Sequence, residues 1–214
     1  MTPEAKPNNS IIERLLQPAR TGQLIGKGEF LRLLDNRELL IEPLLDRDAQ
    51  VGTLGVDLRL DCFFREFGRT RQPIVTPALD SHATFLREVE PFRDRFYLQP
   101  GEFALGQSLE YLALPNTLLG LLNGRSSLGR RGLIVHATAN FVDPGWHGHL
   151  VFELANLGSM PLELMPLLRV ARLVFMRTRD VGGYSGSYSA QTRITPPQPD
   201  PLAIALSKLG KENA

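Results

Sequence analysis

Apolar segments of four to eight residues recur along this chain, and Gly, Pro, Asn or Asp interrupts nearly all of them. "ELLIEPLL", "GVDLRLDCFFREF", "DRFYLQPGEFALGQSLEYLALP", "LLGLLNG", "GLIVHATANFV", "HLVFELANLG", "PLELMP" and "RVARLVFMRT" follow one another from Glu38 to Thr178. Runs this short, alternating or wholly apolar and bounded by turn residues, suit strands and not long helices. The spacing predicts a mainly β fold of the sandwich, barrel or jelly-roll kind. Helices are expected only at the edges. Ser10-Ile11-Ile12-Glu13 fits a capping box, so a short helix should run through Leu16 and end before Pro18. Gly28 to Asn36, "GEFLRLLDN", reads as a second. "LDSHATFLREVEPFRDR", Leu79 to Arg95, is polar and mixed and is expected to be a long loop. Past Arg179 the chain becomes rich in Gly, Ser, Thr and Pro, and "LAIALSKLG" should add a last helical turn or two.

The bulk numbers exclude some functions. At 214 residues with 43% apolar and 22% charged residues, the composition is that of an ordinary globular domain. A net charge of +1 gives no global basic field for nucleic acid. The cations are nevertheless skewed, 20 Arg against 4 Lys; Arg is the better fork for phosphate, but high genomic GC content gives the same skew. The one cysteine, Cys62 in "LRLDCFF", supports neither a disulfide framework nor a Cys-rich zinc site and reads as a buried structural thiol. No apolar run approaches the roughly 18 residues of a membrane span. "MTPEAKPNNS" has no apolar signal core, so a cytoplasmic protein without membrane or nucleic-acid partners is expected.

The chemistry concentrates between Asn123 and Leu154. Gly124-Arg125-Ser126-Ser127 places a guanidinium and two hydroxyls in one turn, with Arg130 and Arg131 behind it. That is either an anion site or a solvated polar turn. Asp143-Pro144-Gly145 is a turn between strands, which Asp143 would cap. His136 in "LIVHATA" reads as a satisfied core histidine, and His147 and His149 as one face of a strand and not a metal pair. Glu153 is the anomaly. Leu150, Val151, Phe152 and Leu154 around it are apolar, and an ionised carboxylate is costly to bury unpaired. Two readings stay open: an exposed sheet face, or a pocket that makes Glu153 a general base.

As a block these residues resemble the dCTP deaminase branch of the dUTPase-like superfamily. The resemblance rests on Gly124, Arg125, Ser126, Ser127, Arg130 and Gly132; then His136, Thr138, Ala139, Asp143, Pro144, Gly145, Trp146 and Gly148; then Glu153. Weaker similarity extends over residues 25 to 192. It implies a distorted jelly-roll β-barrel and a homotrimer with active sites shared between subunits. The implied activity is metal-free hydrolysis of dCTP to dUTP and ammonia, supplying deoxyuridine nucleotides for thymidylate synthesis. Glu153 would be the base, Ser126 and Arg130 would hold the water and the developing charge, and the Ala139 carbonyl would orient the water. Arg125, Ser126, Ser127, Arg130, Asp143, Trp146, Val151 and Gln191 would bind nucleotide, with Mg²⁺ accompanying the triphosphate and no zinc. dUTP or dTTP is implied as product or inhibitor. Zinc deaminases instead use a His/Cys-bound metal, which one cysteine cannot supply. Plain dUTPases usually have an apolar residue at the Glu153 position, so Glu153 points to deamination. Bifunctional members that take dCTP on to dUMP, and a non-catalytic nucleotide-binding regulator, are the alternatives.

The implied organisation is an N-terminal extension over residues 1–24, a β domain over 25–180, and a tail over 181–214 acting as a lid. The chain departs from the family pattern at three places. Ser187-Tyr188-Ser189-Ala190-Gln191 lacks the family's tail Lys, and Arg131 stands where an apolar residue is common. Pro166 to Leu173 replaces P-G-M-x-I-G-Q-L, putting Leu167, Ala171 and Arg172 at the two glycines and the Gln. A turn that uses the first glycine's left-handed freedom should therefore be rebuilt, at about 1 kcal/mol.

Overall fold

A computed structural model describes residues 23–67, 86–89, 95–138, 140–198 and 200–212. The helix expected at Ser10–Leu16 lies outside them. Among the described residues the first element is helix α1 (Lys27–Asp35), which matches the expected Gly28–Asn36 segment. It buries Phe30 and Leu33, and Phe30 stacks on Phe175 with ring centroids 5.5 Å apart. Burying such a ring stabilises by roughly 2–3 kcal/mol. Glu29 at the start of α1 pairs with Arg177, and Ile25 N donates to Phe175 O at 3.0 Å. The helix is thereby fastened to the last long strand.

The rest is antiparallel sheet. Strands β1 (Leu40–Glu42), β2 (Val56–Phe67), β3 (Leu86–Val89), β4 (Phe96–Leu98), β5 (Phe103–Ala113), β6 (Leu118–Gly124), β7 (Leu133–Ile134), β8 (Phe141–Val142), β9 (His147–Asn156), β10 (Leu162–Leu164) and β11 (Arg169–Arg177) account for most of it. Short helices α2 (Arg47–Gln50) and α3 (Ser126–Gly129) interrupt them, and α4 (Pro201–Glu212) closes the described chain. The main sheet runs β7-β9-β5-β2-β11-β6-β8, with β1 added on β5 and β3 on β2; β10 pairs with β4 separately. This is the mainly β class expected. Two expectations are corrected. The mixed segment Leu79–Arg95 contains strand β3, which extends the sheet along β2 (Phe64↔Val89 to Phe67↔Leu86). The closing helix runs twelve residues, not a turn or two. Cys62 lies on β2 as expected, half-buried.

Strand β9 shows why a carboxylate tolerates so apolar a neighbourhood. Its side chains alternate between the two faces. Gly148, Leu150, Phe152, Leu154 and Asn156 are buried, while His147, His149, Val151, Glu153 and Ala155 are half-buried on the other face. The β5–β9 register shifts between Gln107 and Tyr111. There the Ser108 hydroxyl accepts from Leu150 N at 2.8 Å and donates to Glu110 O at 2.7 Å, filling the irregularity. Such bulges re-aim side chains beside functional sites, and this one lies directly across from the site-facing half of β9.

Candidate active site

Glu153 lies at the floor of a cleft of about 410 Å³ whose walls include His136, Asp143, Trp146, Val151, Tyr188 and Gln191. Its side chain is 27% exposed. The segment after β7 folds over the carboxylate. Oε2 accepts from Ala137 N at 2.8 Å and Thr138 N at 3.0 Å, and Thr138 Oγ1 lies 3.0 Å from Oε1. Glu153 N in turn donates to Val135 O at 3.0 Å. The side chain is thus held at a fixed angle toward the cleft by two amides and a hydroxyl. Glu153 therefore lines a cleft and does not stand on an open sheet face. Ala139, expected to orient the water, lies outside the described residues.

His136 overturns the core-histidine reading. Its Nδ1 is 4.0 Å from Glu153 Oε2, and neither buried ring nitrogen has a hydrogen-bond partner among the described residues. Buried polar atoms are nearly always paired, and among the described residues His136 leaves both ring nitrogens without a protein partner on the wall of the cleft. Burial lowers its pKa below the ordinary 6.5, against the opposing pull of Glu153. His136 follows β7 and Glu153 lies on β9, two strands that pair in the sheet although β8 stands between them in the chain. Only the fold, by curling 136–138 over β9, made them neighbours.

The Asp143-Pro144-Gly145 turn closes through backbone, Trp146 N donating to Asp143 O at 3.1 Å, with Gly145 at φ 77°. The Asp143 side chain is left lining the cleft. Gly148 has φ 144°, and a Cβ there would stand 2.9 Å from Gln191 N and O. The missing side chain lets the tail cross β9. His149 N donates to Gln191 O at 2.8 Å, Ala190 N to His147 O at 2.9 Å, and Trp146 Nε1 to Tyr188 O at 3.0 Å. The tail therefore roofs the cleft in this structure. The Gln191 side chain accepts from Thr195 Oγ1 at 2.8 Å and is 8% exposed. His149 does share a strand face with His147, as expected, with Nδ1 2.9 Å from Ser108 O.

The other half of the expected site lies elsewhere. Ser126, Ser127, Arg130 and Arg131 line a separate surface groove that shares no residue with the Glu153 cleft. All four are exposed, and Arg131 Nη1 donates to Ser127 O at 2.6 Å. Arg125 is drawn inward, its Nε 3.4 Å from the buried Asp57 carboxylate. Leu167 supplies a further correction. The turn is not rebuilt: Leu168 N donates to Met165 O at 3.2 Å, and Leu167 occupies the glycine conformation at φ 67°. Pro166 followed by a left-handed residue is the type II pattern.

These residues can be set beside known proteins. A family model described as dCTP deaminase-like matches residues 24–178. The chain belongs to the dCTP deaminase-like family. A dCTP deaminase of Halorubrum lacusprofundi is 42% identical over 154 residues, covering 71% of this chain and 76% of that relative. A dUMP-forming dCTP deaminase of Mycobacterium ulcerans is 38% identical over 179 residues, covering 77% and 94%. Among solved structures, the 2′-deoxycytidine 5′-triphosphate deaminase of Agrobacterium tumefaciens superposes with a TM-score of 0.59 at 24% identity. That superposition covers 75% of this chain but 49% of the longer one, and it speaks to the fold alone. Among the described residues, no helix is long and apolar enough to cross a membrane.

Proposed function

We propose that this chain hydrolyses the exocyclic amino group of dCTP. The observation that carries the reading is the Glu153 carboxylate, fixed by Ala137, Thr138 and their backbone at the floor of a cleft roofed by the tail. Water adds to cytosine C4 as Glu153 takes its proton. Glu153 then delivers that proton to N3, takes the remaining proton from the C4 hydroxyl and passes it to N4; the C4–N4 bond breaks, C4 becomes a carbonyl, and ammonia leaves. The products are dUTP and ammonia. Proton shuttling of this kind is worth about 10²–10⁴-fold. In this reading Asp143 holds the deoxyribose, Ala139 orients the water, and Ser126 with Arg130 stabilises developing charge.

The cleft and the Ser126–Arg131 groove are separate within one chain. That separation supports an assembly, a homotrimer in our reading, in which one subunit's groove completes a neighbour's cleft. The tail, residues 181–214, acts as the lid on the 25–180 domain. Magnesium arrives with the triphosphate. Among the described residues no group of three His, Cys, Asp or Glu is placed to hold a metal, so the ion's ligands in this reading are phosphates and water.

The dUMP-forming name of the Mycobacterium ulcerans relative supports a second reading, in which the same chain also cleaves the phosphoanhydride. Incubation of purified protein with dCTP and Mg²⁺, with products resolved by chromatography, decides. dUTP with ammonia is expected; dUMP with pyrophosphate establishes the second reading; nucleotide binding with no product overturns both.

A further inference from the structure

The tail does more than cross β9. Just past the cleft it runs over the outer face of the sheet, where the strands lie in the order β9-β5-β2 with β3 beyond β2. On β9, Gln191 forms a parallel bridge to Gly148, and its carbonyl accepts from His149 N at 2.8 Å. On β5, Gln107 Nε2 donates to Thr192 O at 3.4 Å and to Asp61 Oδ2 at 3.2 Å. On β2, the guanidinium carbon of Arg193 stands 4.5 Å from the centre of the Phe63 ring. On β3, Glu88 Oε1 accepts from Arg193 Nη1 at 3.4 Å. Gln191, Thr192 and Arg193, consecutive in the chain, therefore meet four strands in the order in which the sheet lays them.

Alternation along the strands puts these anchors on one face. A side chain at Gly106 would run into Leu60, Phe64 and Leu154, so Gly106 faces the core. Gln107 beside it faces out, opposite Val151 of the cleft wall. Phe64 is fully buried, which turns Phe63 outward, and Glu88 pairs with Arg65 on that same face. Gln107 is 1% exposed, and its Oε1 has no hydrogen-bond partner among the described residues. A buried amide is costly unless its polar atoms are used, and here the donor end is the one that joins sheet to tail. Asp61 holds that amide at its angle, its other oxygen accepting from Cys62 N at 2.7 Å. Ile194, next in the chain, is 3% exposed, so apolar burial adds to the hold. Beyond it the chain turns back on the roof. Thr195 Oγ1 donates to Gln191 Oε1 at 2.8 Å and Gln198 N to the Tyr188 hydroxyl at 3.3 Å, bracing two residues that wall the cleft. All of these contacts join protein to protein.

We propose that Gln107, with Asp61 behind it, and Phe63, with Glu88 beside it, form a latch that holds the tail over its own cleft before any nucleotide arrives. These are positioning residues: they touch Thr192 and Arg193 and act through the tail on Tyr188 and Gln191. The latch does not depend on the function proposed above; only its consequence for turnover rests on that reading. The test is deuterium exchange of the full chain without nucleotide, read by mass spectrometry over residues 186–194, where Ala190 N donates to His147 O. Wild type is expected to exchange there about 10-fold or more slowly than a free peptide of the same sequence. Arg193→Ala and Gln107→Leu should each speed that exchange about 2- to 5-fold, and together about 10-fold, with β6 and β11 unchanged. Arg193→Lys keeps a cation over Phe63 and should recover part of the protection. The Arg193 side chain is 62% exposed, so its variants keep the fold and decide the matter if Gln107→Leu does not. A wild-type tail that exchanges like the free peptide, or an Arg193→Ala tail as protected as wild type, would overturn the latch. A protected tail on a chain that does not turn over dCTP would sink the deaminase reading and leave the latch standing; an unprotected tail on an active chain would do the reverse.

Discussion

A single side chain carries most of the chemistry proposed. Glu153→Gln keeps the shape of the group but not its basicity: the amide oxygen can still accept from Ala137 N and Thr138 N, and the new NH2 can donate to Thr138 Oγ1. Deamination is expected to fall by about 10²–10⁴-fold while dCTP affinity changes little, which single-turnover kinetics and a binding titration would separate. Turnover near wild type would remove Glu153 from its role. His136 is the neighbour that matters to it, at 4.0 Å. Because burial keeps the imidazole neutral below its usual range, lowering the pH would eventually place a cation beside the base. The acid limb of the kcat profile should therefore move in His136→Asn, whereas a residue that merely filled space would leave it in place.

At the level of elements, the turn before β11 holds a strained conformation for a purpose. Leu167 at φ 67° is disfavoured by about 1 kcal/mol relative to glycine. Its carbonyl nevertheless accepts from Arg59 Nη1 at 2.8 Å, and the turn leads into Arg169, where the register with β2 shifts. Leu167→Gly is expected to raise the melting temperature by about 2–4 °C, read by calorimetry; a fall would show that the half-exposed leucine makes packing contacts worth more than the strain. Gly148 is the opposite case. A side chain there meets Gln191 backbone at 2.9 Å, so Gly148→Ala should lift the tail from β9. Greater protease cleavage within 181–198 is the expected readout, with the β domain intact.

Over the whole molecule, a second buried carboxylate sets a pH dependence unrelated to the cleft. Glu110 on β5 is fully buried. Burial pushes it up to about 7 from 4.5, against hydrogen bonds from Arg59 N, its own amide and Gln50. The folded state thus binds this proton more tightly than the unfolded chain does. Its contribution is full below pH 4.5 and is lost as pH rises through 7, about 3 kcal/mol in all. His136, with its lowered pKa, acts oppositely and loses stability as pH falls below 6.5. Glu110→Gln should remove the decline between pH 4.5 and 7 and leave the histidine's rise exposed in denaturant melts. An unchanged slope would mean that Glu110 does not titrate in this window.

Short apolar runs between turn residues determined the β class, because alternation and turn chemistry are local properties of the chain. The helix at Lys27–Asp35 and the Asp143-Pro144-Gly145 turn were legible for the same reason. So was the strangeness of Glu153, since a charge amid Leu150, Val151, Phe152 and Leu154 is visible without coordinates. Pairing, curvature and register are not local, and they decided the rest. They set Glu153 in a cleft by laying Ala137 and Thr138 over it, and they turned His136 from a core residue into its neighbour. They put a strand at Leu86–Val89, where the sequence is polar, because the edge of β2 had backbone groups to satisfy. They also drew Arg125 toward Asp57, together with Arg169 and Arg172 from more than 40 residues away. No spacing rule reaches that far: a bulge of one residue, set by packing beneath it, selects the face on which a side chain emerges.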